Sequence, residues 1–339
     1  MVLTQRKETI LKAIVGDYID VAVPVGSESI ATKHGLQLSS ATIRNVMADL
    51  EAEGYIIRPH SSAGGVPSDK GYRYYVESLG GGEALSLEER MMIRHQFHQV
   101  AREFEEWTHL SAALLAQIAH NLGVASLPRA RHSRLKRLEL IAIQELLTLM
   151  VIIFQGANIK RELLNLEETA SQQELDYTAD RLSESLDGLT YPQIQAKDWG
   201  DSPLEKQVVK ELVRLMQWQD EGDYEELHVD GLRHIFGQPE FSSGERVRTL
   251  MEVLEDKSFL QRVLQQIYQS KGIQVVIGSE IRDDALQHCS LVITGYGFPG
   301  DIKGVIGIIG PKRMNYARSI SAVRYLSSLM DEMITEVYG

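Results

Sequence analysis

LSSATIRNVMADLEAEGYI, residues 38–56, decides how this chain is read. Ile43, Val46, Met47 and Leu50 recur at the i, i+3, i+4, i+7 spacing of one helix face. Ser39 or Ser40 is placed to cap the helix start, and Gly54 to stop it after about Glu53. With the apolar face inward, Thr42, Arg44 and Asn45 look outward near the N-terminal end. That end touches base edges when the second helix of a helix-turn-helix lies in a major groove. Arginine bridges guanine O6 and N7, asparagine does the same for adenine N6 and N7, and threonine reaches a phosphate or a thymine methyl. Ser39 and Ser40, with the N–H groups of the first turn, suit a phosphate oxygen. A helical hairpin with a solvated polar face has the same pattern, so the helix alone leaves both readings open.

The flanking segments favour DNA. Upstream, Ile10, Ile14 and Tyr18 lie four apart in an amphipathic helix over residues 4–20, with Thr4 as its N-cap. A short helix from about Ser27 to Lys33 follows, stopped by Gly35. Downstream, YIIRP (55–59) reads as a strand, HSSAGGVPSD (60–69) as a glycine-rich loop, and KGYRYYVESL (70–79) as a strand or helix closing the unit. Helix, helix, turn, helix, strand, loop is the order of a winged helix-turn-helix. Arg58, His60, Ser61, Ser62, Lys70 and Arg73 supply donors where the wing would meet a duplex, against a single acid, Asp69, between 58 and 73. Gly64 and Gly65 let that loop approach a sugar–phosphate backbone.

The overall charge limits what such a module does. The 339 residues carry a formal net charge of −12. Residues 1–80 contribute eight Lys/Arg and nine Asp/Glu, a net of −1, so −11 lies beyond them. Charge acts within a Debye length of about 8–10 Å. The chain is therefore unsuited to coating nucleic acid indiscriminately but free to carry a small DNA-reading head. Cys289 is the only cysteine, which excludes an intramolecular disulfide and a cysteine-based zinc site; it reads as a small buried hydrophobe, not a nucleophile. The opening MVLTQRKETI lacks the apolar core of a signal peptide, and LTLMVIIF (147–154) is too short to span a bilayer, so no membrane association and a cytoplasmic location are expected.

Beyond the head, GGGE (80–83) is the best linker. Residues 86–123 read as one or two long helices, opened by a Ser86–Glu89 capping box. RLKRLELIAI (134–143) and LTLMVIIFQ (147–155) form a strand hairpin. Residues 160–270 are helix-rich and acidic, with helices near 171–187, 203–218 and 244–269. Strands return at 273–280, 291–297 and 304–310, before a final amphipathic helix bearing Ile320, Val323, Met330, Ile334 and Val337. The expected architecture is α+β: a winged helix-turn-helix over 1–79, a linker over 80–85, and an α+β domain from 86–160 and 271–339, into which 161–270 is inserted.

Features that imitate chemistry are weaker. GYGFPG (295–300) is a literal G-x-G-x-x-G, but Pro299 and the β-branched run after it make a turn between strands, not the helix start that a dinucleotide needs. His95 and His98 share a helix face without a third ligand. No nucleophile-elbow or P-loop pattern occurs. No catalytic residue, cofactor or metal is expected, and the chain reads as a non-enzyme.

The run LSSATIRNVMADLEAEGYIIRPHSSAGGVPSDKGYRYYVESL (38–79) resembles the signature of the bacterial heat-inducible transcription repressor HrcA family, RPHSSAGGVPSDKGYRYYV (58–76) being its most specific part. The closing GYG…GVIGIIGPKRMNYARSISAVRYLS is similar to that family's last segment. The resemblance implies a winged-helix domain, a GAF-like domain and an inserted dimerising domain. It further implies a homodimer that binds double-stranded operator DNA with an inverted repeat upstream of chaperone operons, and whose activity depends on a GroE-type chaperonin. The recognition helix is then Ser40 to Glu53, and the wing roughly His60 to Pro67. One departure stands out: the family's SAG is usually followed by arginine, and here Gly65 follows, which puts a wing-tip phosphate contact in doubt. A GAF-like domain also admits an alternative, a regulator controlled by a small effector bound there.

Overall fold

The computed structural model describes residues 3–338 apart from 61–62, 81–83, 101–102, 131–132, 156–158, 198, 200–201, 222–226, 257–271, 282 and 298–301. Two compact units emerge: one built from Met1–Pro128, Glu226–Gly297 and Gly304–Met333, the other with Arg129–Glu225 as its body.

The first unit begins with a head of helices α1 (Gln5–Val21), α2 (Ser27–Lys33) and α3 (Ser40–Ala52), short strands β1 (Ile56–Ile57) and β2 (Val66–Pro67), and helix α4 (Asp69–Ser78). Ile10, Leu11, Ile14, Ile30, Ile43 and Leu50 are fully buried and form its core. Each contributes about 1.5–3 kcal/mol relative to exposure. Val46, read with the core face, is only half-buried. Thr4 stands at the N-cap of α1 without a side-chain bond, whereas Ser39 caps α3 by accepting the Thr42 N–H. The segment left as strand or helix is helix α4, because Ser68 accepts the Gly71 N–H and starts it. β1 and β2 pair antiparallel, Ile56 with Pro67 and Ile57 with Val66. Val25 and Gly65 extend this ladder through two N–H···O bonds of 2.9 Å.

The same unit continues with α5 (Leu87–Gln99) and α6 (Phe104–Ala119), the former opened by the expected Ser86–Glu89 capping box. A wholly antiparallel sheet follows. It consists of β3 (Leu122–Ser126), β8 (Leu227–Asp230), β9 (Gln274–Ile277), β10 (Cys289–Tyr296) and β11 (Ile302–Pro311), in the order β8-β3-β11-β10-β9. Helices α10 (Leu232–Phe236), α11 (Gly244–Glu255) and α12 (Tyr316–Tyr338) belong to this sheet domain. Helix α6 rests directly on β3: a Cβ at Gly123 would sit 2.0 Å from the Ala112 carbonyl oxygen, so only glycine fits. Gly295 lies inside β10, antiparallel to β11, and no helix starts in the G-x-G-x-x-G stretch where residues are described.

The second unit holds β4 (Arg129–Ala130), which pairs with Ile302 and Lys303, and a three-stranded antiparallel sheet of β5 (Leu135–Gln144), β6 (Leu147–Phe154) and β7 (Ile159–Asn165). Helices α7 (Gln172–Leu186), α8 (Tyr191–Gln195) and α9 (Pro203–Glu221) complete it. Leu138, Leu140, Met150, Ile152 and Phe154 of the sheet meet Leu182 and Leu212 of the helices in one core.

Three expectations are corrected. The strands at 134–143 and 147–155 do not join those at 273–310; they take β7 as third partner and cover their inner face with α7 and α9. The inserted body therefore spans 129–225 rather than 161–270. The space left in the main sheet is filled by β3 and β8, two short strands that the sequence reading had within or beside helices. The helix expected over 244–269 is described only as α11 to Glu255, and its remainder from 257 lies outside the described residues.

Candidate nucleic-acid interface

Helix α3 presents Arg44 and Asn45 exposed to solvent, opposite the buried Ile43, Met47 and Leu50. Among the described residues Arg44 makes no ion pair. Thr42 is half-buried, and its hydroxyl bonds the Ser39 hydroxyl at 2.9 Å. Ser40 opens the helix, where first-turn N–H groups lack intrahelical acceptors.

The acids at the other end of α3 are each answered by a cation. Lys7 of α1 reaches Glu53 at 2.6 Å and Asp49 at 3.2 Å. These bonds, that to Glu53 foremost, raise the Lys7 ammonium above its ordinary pKa. Arg58 lies 3.3 Å from Glu51. Lys70 donates to the Glu53 carbonyl at 2.7 Å and lies over the Tyr55 ring. The helix thus carries an open polar end and a neutralised one.

In the β1–β2 loop, expected as a wing, and in α4 after it, several of the sequence-predicted donors are engaged within the protein. His60 is exposed at the tip, where the Ala63 N–H returns to the His60 carbonyl at 2.9 Å. Ser61 and Ser62 lie outside the described residues. Arg58 is half-buried against Glu51, and Lys70 is committed to α3. Arg73 turns away from the wing: its Nε donates to Glu280 at 2.8 Å and its Nη2 to the Val275 carbonyl at 2.6 Å. Gly64 is required by the close approach of Val25, whose carbonyl carbon would lie 2.4 Å from an added Cβ. Gly65 is buried in the bridge to Val25, with Ile56 and Met47 over the Cβ position, and not at the wing tip.

Residues 105–320 match the family described as "HrcA protein C terminal domain". The chain belongs to the HrcA family. A heat-inducible transcription repressor HrcA of Dehalococcoides mccartyi is 44% identical over 337 residues, covering 99% of this chain and 97% of that protein. The same repressor of Chloroflexus aggregans is 41% identical over 354 residues, covering 99% and 94%. A crystal structure described only as that of a hypothetical protein aligns over 98% of both chains at 25% identity, with a TM-score of 0.61. HrcA proteins are transcription repressors, not enzymes.

Burial pushes the Cys289 thiol up to about 12, far from a nucleophile's range. Among the described residues no three His, Cys, Asp or Glu side chains gather as a metal site, and no helix is long and apolar enough to cross a membrane. An open cleft beside the head is lined by Asp20, His120, Arg233, His234 and Arg313. Arg313 is already held by Glu240 at 2.6 Å and the Ile19 carbonyl at 3.4 Å. Sequence reasoning missed Lys7, Glu280 and Lys312 as organisers of the head. No local signal marks them, because their partners lie 42 to 243 positions away.

Proposed function

We propose that this protein is a cytoplasmic, dimeric repressor whose head is a winged helix-turn-helix and whose sheet domain is GAF-like. It occupies an inverted-repeat operator of chaperone genes. The observation that carries the reading is the exposed Arg44–Asn45 pair at the N-terminal end of α3, with every acid of that helix answered elsewhere. Arg44 and Asn45 read base edges, Ser39, Ser40 and Thr42 serve the adjoining phosphates, and His60 with Ser61 and Ser62 forms the wing contact. Arg58, Lys70 and Arg73 are engaged by Glu51, the Glu53 carbonyl and Glu280 instead. Dimerisation is supported by the second unit, whose outer sheet face exposes the large apolar side chains Ile141, Ile159 and Leu163, and two heads double the readout against a genome of competing sites.

Heat acts by removing competent dimers, and a GroE-type chaperonin restores them. A labelled duplex selected by the full-length protein from a random pool serves as operator in a mobility-shift assay at physiological salt. A scrambled half-site should bind far more weakly; equal binding of both would end the reading. Arg44→Ala should weaken the specific complex by about 1–3 kcal/mol and relax base preference. Heating should reduce the shifted fraction, and added chaperonin should recover it; recovery without chaperonin would remove that partner. At Gly123 α6 lies against β3 without room for a side chain; the alternative, a small effector held elsewhere in the GAF-like domain, requires operator affinity to shift with an added metabolite.

A further inference from the structure

The head is fastened to the sheet domain by charges that its outward-facing residues do not use. Asp69 and Arg73 stand one turn apart on α4 and face the turn after β9. Asp69 accepts the Lys312 ammonium at 2.6 Å and the Ser279 N–H at 2.9 Å. It sits so close to the backbone that a Cβ at Gly278 (φ +50) would lie 2.4 Å from its Oδ2. Arg73 clasps the Glu280 carboxylate with two nitrogens and also reaches the Val275 carbonyl. Between the two charges Tyr72 is buried, its ring centroid 6.0 Å from that of the buried Tyr316. Swivelling the head would break both charged clasps and expose Tyr72. Arg44 and Asn45 take no part in this contact and remain open to solvent.

We propose that this latch sets the direction in which α3 points and thereby the half-site spacing that a dimer accepts, making Asp69, Arg73, Glu280 and Lys312 positioning residues for operator choice. The proposal rests on the reading of the protein as a dimeric operator-binding repressor. In a two-fold dimer, half-sites must lie one helical turn of about 10–10.5 base pairs apart, or multiples of it, because the reading helices are held at a fixed separation. A head held only by its chain connection would reach both half-sites over a range of spacings. Affinity for one isolated half-site depends on the contact residues and not on the latch.

The test uses full-length protein and the inverted repeat that it selects from a random pool, compared with the same repeat lengthened by about five base pairs, half a helical turn. Lys312→Met combined with Glu280→Gln breaks the clasps from the sheet-domain side and leaves the net charge unchanged. Wild type should lose more than tenfold in affinity on the lengthened site. The double variant should lose less than threefold, while its affinity for a single half-site stays within twofold of wild type and α4 amide exchange rises. Lys312→Arg should keep wild-type discrimination, and Asp69→Asn should fall between. If the double variant fails to fold, Asp69→Asn, which preserves side-chain shape, carries the same comparison. Discrimination as strong as wild type, in a variant whose α4 exchange has risen, overturns the proposal. A wild-type protein that selects no inverted repeat instead overturns the repressor reading and the latch with it.

Discussion

Strands β10 and β11 carry CSLVITGY and GVIGIIG, and β6 carries LTLMVIIF, so the two sheets draw on equally apolar sequence. Their surroundings differ. Along β10 and the described part of β11 nearly every residue is buried, on both faces. Along β6 burial alternates strictly, with Thr148, Met150, Ile152 and Phe154 inside and Leu147, Leu149, Val151 and Ile153 half-exposed. The register extends that outer face sideways: Leu149 stands between Ile141 of β5 and Leu163 of β7, and Ile153 beside Ile159. Leu163 is 58% exposed and Ile159 51%. An antiparallel sheet tolerates one solvated face, but its residues are then normally polar. This face keeps apolar rows at Ile141–Leu149–Leu163 and Ile153–Ile159, separated by Val151 between the charged Glu139 and Arg161, more apolar surface than a solvated sheet face normally carries. The closed sheet has both faces covered within one chain, and the open one leaves its outer face to solvent.

The largest effect expected from this contrast is on the closed sheet. Gly123→Val drives a branched side chain into the Ala112 carbonyl and should lower unfolding free energy by about 3 kcal/mol or more, visible as an early urea midpoint. A wild-type midpoint would mean that α6 does not rest on β3 as described. Ile141→Lys with Leu163→Lys tests the open face. Urea stability of the isolated chain should move by only about 0.5 kcal/mol. Dimer dissociation should rise about a hundredfold, roughly 2.7 kcal/mol, by sedimentation across a concentration series. An unaltered dimer would assign the interface to another surface.

The subtlest test returns to the closed sheet through Cys289. Burial raises its thiol from an ordinary value near 9 to about 12. A group with a raised folded pKa adds stability fully present below the unfolded value and lost as pH climbs through the folded one, so this contribution fades between about pH 9 and 12. At pH 8 the folded thiolate fraction is roughly a thousandfold below the unfolded one, and alkylation by iodoacetamide should be slower in native buffer than in urea by about that factor. Equal rates would show the sheet opening freely.

Much of the head was legible because its signals are local. The period of Ile43, Met47 and Leu50, the cap at Ser39 and the stop at Gly54 all act within a few residues of themselves, whereas the glycines at 64 and 65 answer to Val25 about 40 positions away. The candidate site was legible to the same extent: Arg44 and Asn45 were outward by periodicity, and they are. Arg73 shows where such reasoning ends. Its place among donors of a basic stretch matched a DNA contact, yet its partner is Glu280, 207 positions away. The insertion boundary failed for a related reason, since apolar strands at 134–155 pair with whichever apolar neighbour the topology supplies, and β7 supplied it.

The sequence by itself determined the order of elements in the head, the face that α3 buries, the antiparallel return after GYGFPG and the repressor family. These follow from short-range periodicity, capping and motif. Only the tertiary structure decided which strands share a sheet, which sheet face stays open, and which cations serve the acids of α3. Pairing of distant strands and charges carries no local free-energy signature; it depends on chain segments meeting in space, where burial and electrostatic complementarity select one partner among many of equal composition.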